Sequence, residues 1–244
     1  MKNLIELFNI KNGDIVSIVG SGGKTSLLFE LAKELKKNYK VLVSTSTRLL
    51  MPSIDEYDYL YTDLESYKKN KPDNYTGITV ISKTIDDTKK LIGIDEEQLK
   101  TLIPDFDIIL LEADGSKKLP LKGWKNHEPP VLNSSTITIG VLPVNLLNKK
   151  VSREFIYAFD EFNILTEFSE YINFETIGKI CSDKNGLFKN SKGQLYLYLN
   201  KADTNEQIFA SRELSKYLQE FIINKPFNFK ICLGSLKKGV YYEC

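Results

Sequence analysis

The sequence is poor in the features that mark disulfide-bonded, metal-bound or membrane proteins. It has three cysteines, Cys181, Cys232 and Cys244, without the spacing of a disulfide framework or a zinc site, which indicates a reducing compartment. No apolar run approaches the length that crosses a bilayer, and Glu6 stands too early for a signal peptide. We therefore expect a cytoplasmic protein without a membrane partner.

Net charge is nearly absent as well. The chain carries 33 basic and 32 acidic residues, for a formal charge of +1. Because this balance gives no attraction to a polyanion, nucleic acid is not expected as a partner. At 244 residues the chain is long enough for one large α/β domain. We expect a single domain over residues 1–244, with a β-rich excursion at 55–100 and a helical segment at 150–190.

What the sequence does contain is a glycine-rich turn between an apolar strand, Ile15–Val19, and an amphipathic helix. Glycines let backbone N–H groups converge on an anion, a lysine adds positive charge, and a threonine offers its hydroxyl to Mg²⁺. A structural turn with an incidental lysine is the alternative, because Ile18 stands where the usual motif has its first glycine. The predicted phosphate-binding residues are Gly20, Ser21, Gly22, Gly23, Lys24 and Thr25.

Polar residues follow two further predicted strands. Lys40–Val43 leads into Ser44–Arg48, and Asp107–Leu111 leads into Glu112 and Asp114. Ligands in such sheets collect outside the carboxyl ends of the strands. We therefore predict that Thr25, Glu112 and Thr45 hold Mg²⁺ and that Lys24, Glu112 and Asp114 are catalytic. A serine- and threonine-rich cap and an ordinary acidic turn remain the alternatives.

The segment after Asp114 is predicted to be an extended loop, since prolines and glycines interrupt it as far as Pro130. It holds the only histidine and the only tryptophan of the chain. Loops on a rigid scaffold often determine specificity. The candidates for contact with a second substrate are Arg48, Lys118, Lys122 and His127. A lone histidine is also a common structural hydrogen-bonding group, and the lysines would equally suit a solvated surface.

A second motif follows the predicted strand Gln194–Leu199. Asn200-Lys201-Ala202-Asp203 has the N-K-x-D form with which GTPases read guanine, whose paired N–H donors suit the Asp203 carboxylate. A helix over 205–222 separates it from a last strand, Phe229–Leu233, and from Ser235 beyond that strand. We predict a base site of Asn200, Lys201, Asp203 and Ser235, with GTP favoured over ATP.

The remaining pattern completes an α/β reading. The other predicted elements are a helix at Asn3–Phe8, strands at Tyr57–Tyr61, Gly77–Ile81 and Thr136–Val141, a helix opened by a capping box at Thr62–Glu65, a polar break at 68–74, a helix at Asp95–Ile103 and a mainly helical region at 152–180. Together they predict a three-layer P-loop-type NTPase fold with a mostly parallel central sheet.

Five sequence runs carry a resemblance: V-G-S-G-G-K-T, V-S-T-S-T-R, L-E-A-D-G-S-K-K-L-P-L-K with H-E-P downstream, N-G-L-F-K and L-N-K-A-D. Through them the chain resembles the YqeC family of accessory proteins for selenium-dependent molybdenum hydroxylases. The resemblance implies a role in maturing the selenium-containing cofactor, with a molybdenum hydroxylase or its cofactor-assembly proteins as partners. Ser44 and Ser46 interrupt the run of threonines that the family often has after the second strand.

Three functions fit these residues. The first is a Mg²⁺-dependent nucleoside triphosphatase that prefers GTP over ATP. The second is an ATP-dependent ligase-like enzyme that activates an acid group, for which phosphate release would require an added acceptor. The third is a nucleotide-gated scaffold or chaperone, which would bind nucleotide without turning it over.

Overall fold

A computed structural model describes residues 2–72, 75–223 and 225–244. Over these residues the chain forms fourteen β-strands and seven α-helices. The strands are β1 (Ile15–Gly20), β2 (Lys40–Thr45), β3 (Arg48–Leu50), β4 (Tyr59–Tyr61), β5 (Gly77–Ile81), β6 (Thr84–Ile85), β7 (Lys90–Ile92), β8 (Ile108–Glu112), β9 (Leu121–Lys122), β10 (Ile137–Pro143), β11 (Ile156–Tyr157), β12 (Gln194–Asn200), β13 (Lys230–Ser235) and β14 (Val240–Glu243). The helices are α1 (Leu4–Leu7), α2 (Lys24–Leu35), α3 (Leu64–Asn70), α4 (Glu96–Leu102), α5 (Phe159–Leu165), α6 (Phe174–Ser182) and α7 (Asn205–Phe221).

One large sheet positions everything else. Its nine strands run in the order β14-β13-β12-β10-β1-β8-β2-β5-β4, so that β1 lies at the centre. Neighbouring strands pair in parallel except β14, which is antiparallel to β13. Because the parallel strands end at the same edge, the segments that follow β1, β2, β8, β12 and β13 meet there.

The strands are apolar on both faces because helices cover both. Val16 and Ile18 of β1 pack with α1 and α2 in one core cluster. Ile15 belongs to a cluster with α4 on the other face, and Val19 to a cluster with α6 and α7. This alternation along one strand produces three layers. The expected α/β class with a mostly parallel central sheet is confirmed.

Two small sheets flank the carboxyl edge. β3, β7 and β6 form an antiparallel sheet, which holds Arg48 in a strand and not in a loop. β9 and β11 form a parallel pair that joins Leu121 to Ile156 and Lys122 to Tyr157. Both small sheets bring residues from distant parts of the sequence to the edge where the central strands end.

Several local predictions were wrong in detail. Helix α3 is capped by Asp63, whose side chain accepts from Ser66 N, so the capping box at Thr62 was placed one residue too early. The predicted polar break at 68–74 instead begins with the end of α3, and its residues 73 and 74 lie outside the described part of the chain. Region 152–180 holds two short helices and the strand β11, and β14 was not predicted at all.

The region expected to be β-rich, 55–100, contributes to two sheets. β4 and β5 extend the central sheet, whereas β6 and β7 belong to the small antiparallel sheet. Among the helices that the structure describes, none has both the length and the apolar character needed to span a bilayer.

Candidate functional site

The glycine-rich turn lies between β1 and α2, at the middle of the carboxyl edge. Gly20 has φ 93° and Gly23 has φ 138°, which L-residues rarely adopt. Each also lies against a neighbouring segment. A Cβ at Gly20 would lie 2.3 Å from the Val141 carbonyl oxygen, and one at Gly23 would lie 2.2 Å from Asn200 Nδ2. The turn therefore packs against β10 and against the last residue of β12, and it needs glycine at both positions.

Lys24 is the first residue of α2, and its side chain folds back over the turn. Its Nζ donates to the Gly20 carbonyl at 2.8 Å and lies 3.2 Å from Asp114 Oδ1. The Lys24 side chain is 4% exposed and that of Asp114 is 0% exposed. Lys24 also lines the cavity described below. A single ammonium group thus joins the turn, the loop after β8 and the cavity.

The buried Asp114 carboxylate contacts both the turn and Lys24. Its Oδ2 accepts from Gly20 N and from Trp124 Nε1, both at 3.1 Å, and lies 3.4 Å from Lys122 Nζ. The carboxylate lies behind the turn and does not line the cavity. This geometry suits a residue that positions Lys24 better than one that contacts a substrate directly, as the catalytic role predicted for Asp114 would require.

Thr25 and Glu112 form the second polar pair of the site. Thr25 Oγ1 donates to Glu112 Oε2 at 2.6 Å, and both residues line the cavity. Burial raises the pKa of the Glu112 carboxyl, Asp114 raises it further, and the charge of Lys24 and the Thr25 hydrogen bond lower it. A hydroxyl and a carboxylate are oxygen ligands of the type that Mg²⁺ takes beside phosphate oxygens, so these residues fit the predicted cation.

Thr45 was predicted to hold Mg²⁺, but its hydroxyl makes hydrogen bonds within the protein. Thr45 Oγ1 donates to the Glu112 backbone carbonyl at 2.6 Å and accepts from Thr47 N at 3.0 Å. These bonds keep the hydroxyl buried between β2 and β8. Thr47 and Arg48, two and three residues further on, line the cavity.

A cavity of about 990 Å³ opens over the turn. A ligand pocket for a small molecule or cofactor typically falls between about 300 and 1,000 Å³, so this one is at the large end. Its lining is rich in cationic side chains and includes only two carboxylates among the described residues, Glu112 and Glu128. The cationic side chains that line it are Lys24, Arg48, Lys90, Lys117, Lys118 and Lys201.

The predicted base residues come together at one side of the turn. Asn200 Nδ2 donates to the Gly22 carbonyl at 2.9 Å, which connects the end of β12 to the glycine-rich turn. Ser235 Oγ donates to Asp203 Oδ1, and Lys238 Nζ donates to the Asp203 backbone carbonyl. Lys201 has φ 62° and lines the cavity.

The predicted substrate-loop residues divide into two groups. Arg48, Lys118 and His127 are exposed and line the cavity. Lys122 is fully buried, donates to the Gly115 carbonyl at 2.8 Å, and lies between Asp114 and Glu128. Its charge is therefore neutralised inside the protein, and a solvated lysine was the wrong alternative for this residue.

Several lining residues were not among the predicted site residues, and four of them have side chains suited to contact with a ligand: Thr47, Lys90, Lys117 and Tyr157. Thr47 and Lys117 are each next in sequence to a predicted site residue, Arg48 and Lys118. Including the neighbours of those residues in the prediction would have found them. Lys90 and Tyr157 reach the cavity through β7 and β11, and no local pattern indicates that.

The fold and this loop define an α/β protein with a P-loop-type strand, turn and helix at the centre of a mostly parallel sheet. The chain belongs to the YqeC family, because the family model described as YqeC protein matches residues 16–160. The protein named uncharacterized protein YqeC, from Escherichia coli K12, is 30% identical over 227 residues, which cover 89% of this chain and 87% of the relative. The expected family is confirmed.

A solved structure also shows a weak likeness. It is a GTPase in apo form from Pyrococcus abyssi, 16% identical, with 93% of this chain and 92% of that chain covered and a TM-score of 0.39. A likeness at this level carries no weight for fold or function, so the class of this protein follows from its own sheet order and loop.

Proposed function

We propose that the protein binds a magnesium nucleoside triphosphate, GTP in preference to ATP, and hydrolyses it. Gly20–Thr25 would bind the phosphates, Thr25 and Glu112 would hold Mg²⁺, and Asn200, Lys201, Asp203 and Ser235 would frame the base. The observation that carries the proposal is the buried Lys24 ammonium, held over a glycine turn at the N-terminus of α2 and open to a large cationic cavity.

The phosphate site is supported by charge and by backbone direction. The N-terminus of α2 presents unpaired N–H groups and the positive end of the helix dipole to the turn. Lys24 has an ammonium group with three donor positions, so it can keep the Gly20 carbonyl and still donate to a phosphate oxygen. Ionic contact with Asp114 fixes where that ammonium lies before any ligand arrives.

Bound Mg²⁺ would neutralise charge on the phosphate oxygens. Thr25 and Glu112 already touch through a hydrogen bond, so both oxygens lie close enough for one cation. Burial raises the pKa of Glu112, whereas Lys24 and Thr25 favour the ionised form that would hold a cation. Bound Mg²⁺ would favour the ionised form further, with Glu112 as its ligand.

Guanine preference rests on Asp203. Its carboxylate is held by the Ser235 hydroxyl, and Asp203 N donates to Gln207 Oε1 at 2.9 Å at the start of α7. A fixed carboxylate can accept from two adjacent N–H donors, which guanine has and adenine lacks.

We further propose that this activity assists maturation of the selenium-containing cofactor of molybdenum hydroxylases, which rests on the family alone. The excess of cationic side chains in the cavity also favours a second candidate, an enzyme that uses the triphosphate to activate an acid group. Phosphate release that depends on an added acid acceptor would identify that enzyme, whereas release without an acceptor identifies the hydrolase.

The proposal is tested by calorimetric titration of GTP and ATP, each with and without Mg²⁺. We expect GTP with Mg²⁺ to bind the unaltered protein, and Lys24→Ala to lose binding. The control is Lys33→Ala, an exposed lysine in the last turn of the same helix. Equal affinity in Lys24→Ala and Lys33→Ala would overturn the proposal.

A further inference from the structure

Several lysines crowd one corner of the cavity, around Tyr157. The ammonium groups of Lys117, Lys122 and Lys125 lie 5.5, 5.4 and 5.6 Å from the centroid of the Tyr157 ring. Lys118 follows Lys117 in the chain, and Lys117, Lys118 and Tyr157 all line the cavity. We call these four lysines and Tyr157 the lysine corner.

The charges in the lysine corner are only partly neutralised. Lys122 is fully buried and lies 3.4 Å from Asp114 Oδ2 and 3.3 Å from Glu128 Oε2. Within the described ranges, Lys117, Lys118 and Lys125 have no carboxylate within 4.0 Å. Asp114 and Glu128 pair with Lys122. Like charges held around one ring repel each other, and an anion between them would remove that cost.

Strand pairing and buried ion pairs hold part of the lysine corner in place. β9 and β11 pair Lys122 with Tyr157, which fixes the ring against the buried ammonium. The Asp114 carboxylate contacts Lys122 and also accepts from Gly20 N and pairs with Lys24, so it links the lysine corner to the glycine-rich turn. A ligand at the lysine corner would therefore share both the cavity and a rigid support with phosphates bound at Gly20–Thr25.

We propose that the lysine corner binds the oxyanionic group, a phosphate or a carboxylate, of a second substrate. This inference rests on the proposed function, because it assigns Gly20–Thr25 to the nucleotide and the lysine corner to the molecule that the nucleotide acts upon. The second substrate then carries at least one phosphate or carboxylate group. Lys117 and Lys118 contact it, whereas Lys122 positions the ring and the loop.

The test uses isotopically labelled protein saturated with Mg²⁺ and a non-hydrolysable GTP analogue. Inorganic phosphate is titrated in one series and malonate in another, and amide chemical shifts are followed. We expect saturable shifts at Lys117, Lys118 and Tyr157 while the analogue stays bound. The double variant Lys117→Ala, Lys118→Ala should weaken binding roughly tenfold, or about 1.4 kcal/mol. The control, Lys68→Ala with Lys69→Ala, removes two exposed charges from α3.

The outcomes separate the two proposals. Tighter binding of phosphate indicates a phosphorylated substrate, and tighter binding of malonate indicates a carboxylate. Absence of shifts at the lysine corner in analogue-loaded protein, or equal weakening in the double variant and its control, overturns this inference and leaves nucleotide binding standing. Failure of the analogue to bind the unaltered protein overturns the proposed function, and the second-substrate assignment with it.

Discussion

Lys24 and Asp114 form an ion pair in which Nζ lies 3.2 Å from Oδ1 and both side chains are excluded from solvent. Removing one member of a buried pair leaves the other charge unpaired, which is strongly destabilising. We expect Lys24→Ala and Asp114→Ala each to lower the free energy of unfolding, and the double variant to lose less than their sum by about 1–3 kcal/mol. Urea unfolding of the four proteins measures this coupling, and strict additivity would contradict it.

Gly23 should tolerate no side chain. Its φ of 138° and the 2.2 Å approach to Asn200 Nδ2 mean that Gly23→Ala must distort the turn. We expect a loss of about 1–3 kcal/mol in stability, as for strained backbone positions, together with loss of nucleotide binding. Gly115→Ala is the matched control, because a Cβ there would meet nothing within 4 Å. Thermal unfolding and calorimetry of both variants should separate them, and similar behaviour would remove the steric explanation.

Asp203 should discriminate between the two purine bases. Asp203→Asn replaces one acceptor oxygen with a donor, so guanine loses a hydrogen bond that adenine does not make. We expect GTP affinity to fall roughly tenfold, equivalent to about 1.4 kcal/mol, with little change for ATP. Asp87→Asn, at an exposed position, is the control. Parallel losses for both nucleotides would leave the base assignment without support.

Glu112 should control the requirement for magnesium. Glu112→Gln keeps the shape and an acceptor for the Thr25 hydroxyl but removes the charge that a cation needs. The gain in nucleotide affinity on adding Mg²⁺ should therefore shrink in the variant, whereas binding without Mg²⁺ should change little. Titrations at several Mg²⁺ concentrations test this, and an undiminished magnesium effect would place the cation elsewhere.

Cysteine reactivity should be confined to Cys244. Burial raises the pKa of the Cys232 thiol to about 12 and raises that of Cys181 further, so neither forms thiolate near neutral pH. Burial also raises the pKa of Cys244, but this residue alone among the three cysteines is exposed to solvent. We expect one slowly reacting thiol in the native protein with an aromatic disulfide reagent, lost in Cys244→Ser. Reaction of a second thiol without unfolding would contradict the buried placement.

The sequence predicted the fold well where the signals were local. Strand β5 was placed with its observed bounds, and β1, β8 and β12 differ from prediction by a residue or so at an end. These strands are continuous apolar runs, and the turn chemistry around them is equally local. β14 was missed because Val240–Glu243 is a short edge strand that is specified by pairing with β13 and not by its own pattern.

The candidate site was predictable to the same extent. Gly20–Thr25 and Asn200–Asp203 are contiguous motifs that follow strands, so their meeting at one edge could be expected from parallel topology. The burial of Lys122 could not be predicted from the sequence, because it depends on the positions of Asp114 and Glu128 in the folded protein. The position of Tyr157 could not either, since β11 pairs with a strand from a distant segment.

The hydrogen bond from Asn200 to the Gly22 carbonyl links the phosphate side and the base side of the proposed nucleotide site. If the proposed assignment holds, a polyphosphate that shifts the glycine-rich turn is expected to shift the Asn200 amide as well, and a nucleoside that moves Asn200 is expected to act on the turn. When guanosine and tripolyphosphate are added as separate molecules, the binding of one should then change the affinity of the protein for the other. Such coupling would mean that the protein recognises the base and the phosphates of a nucleotide together.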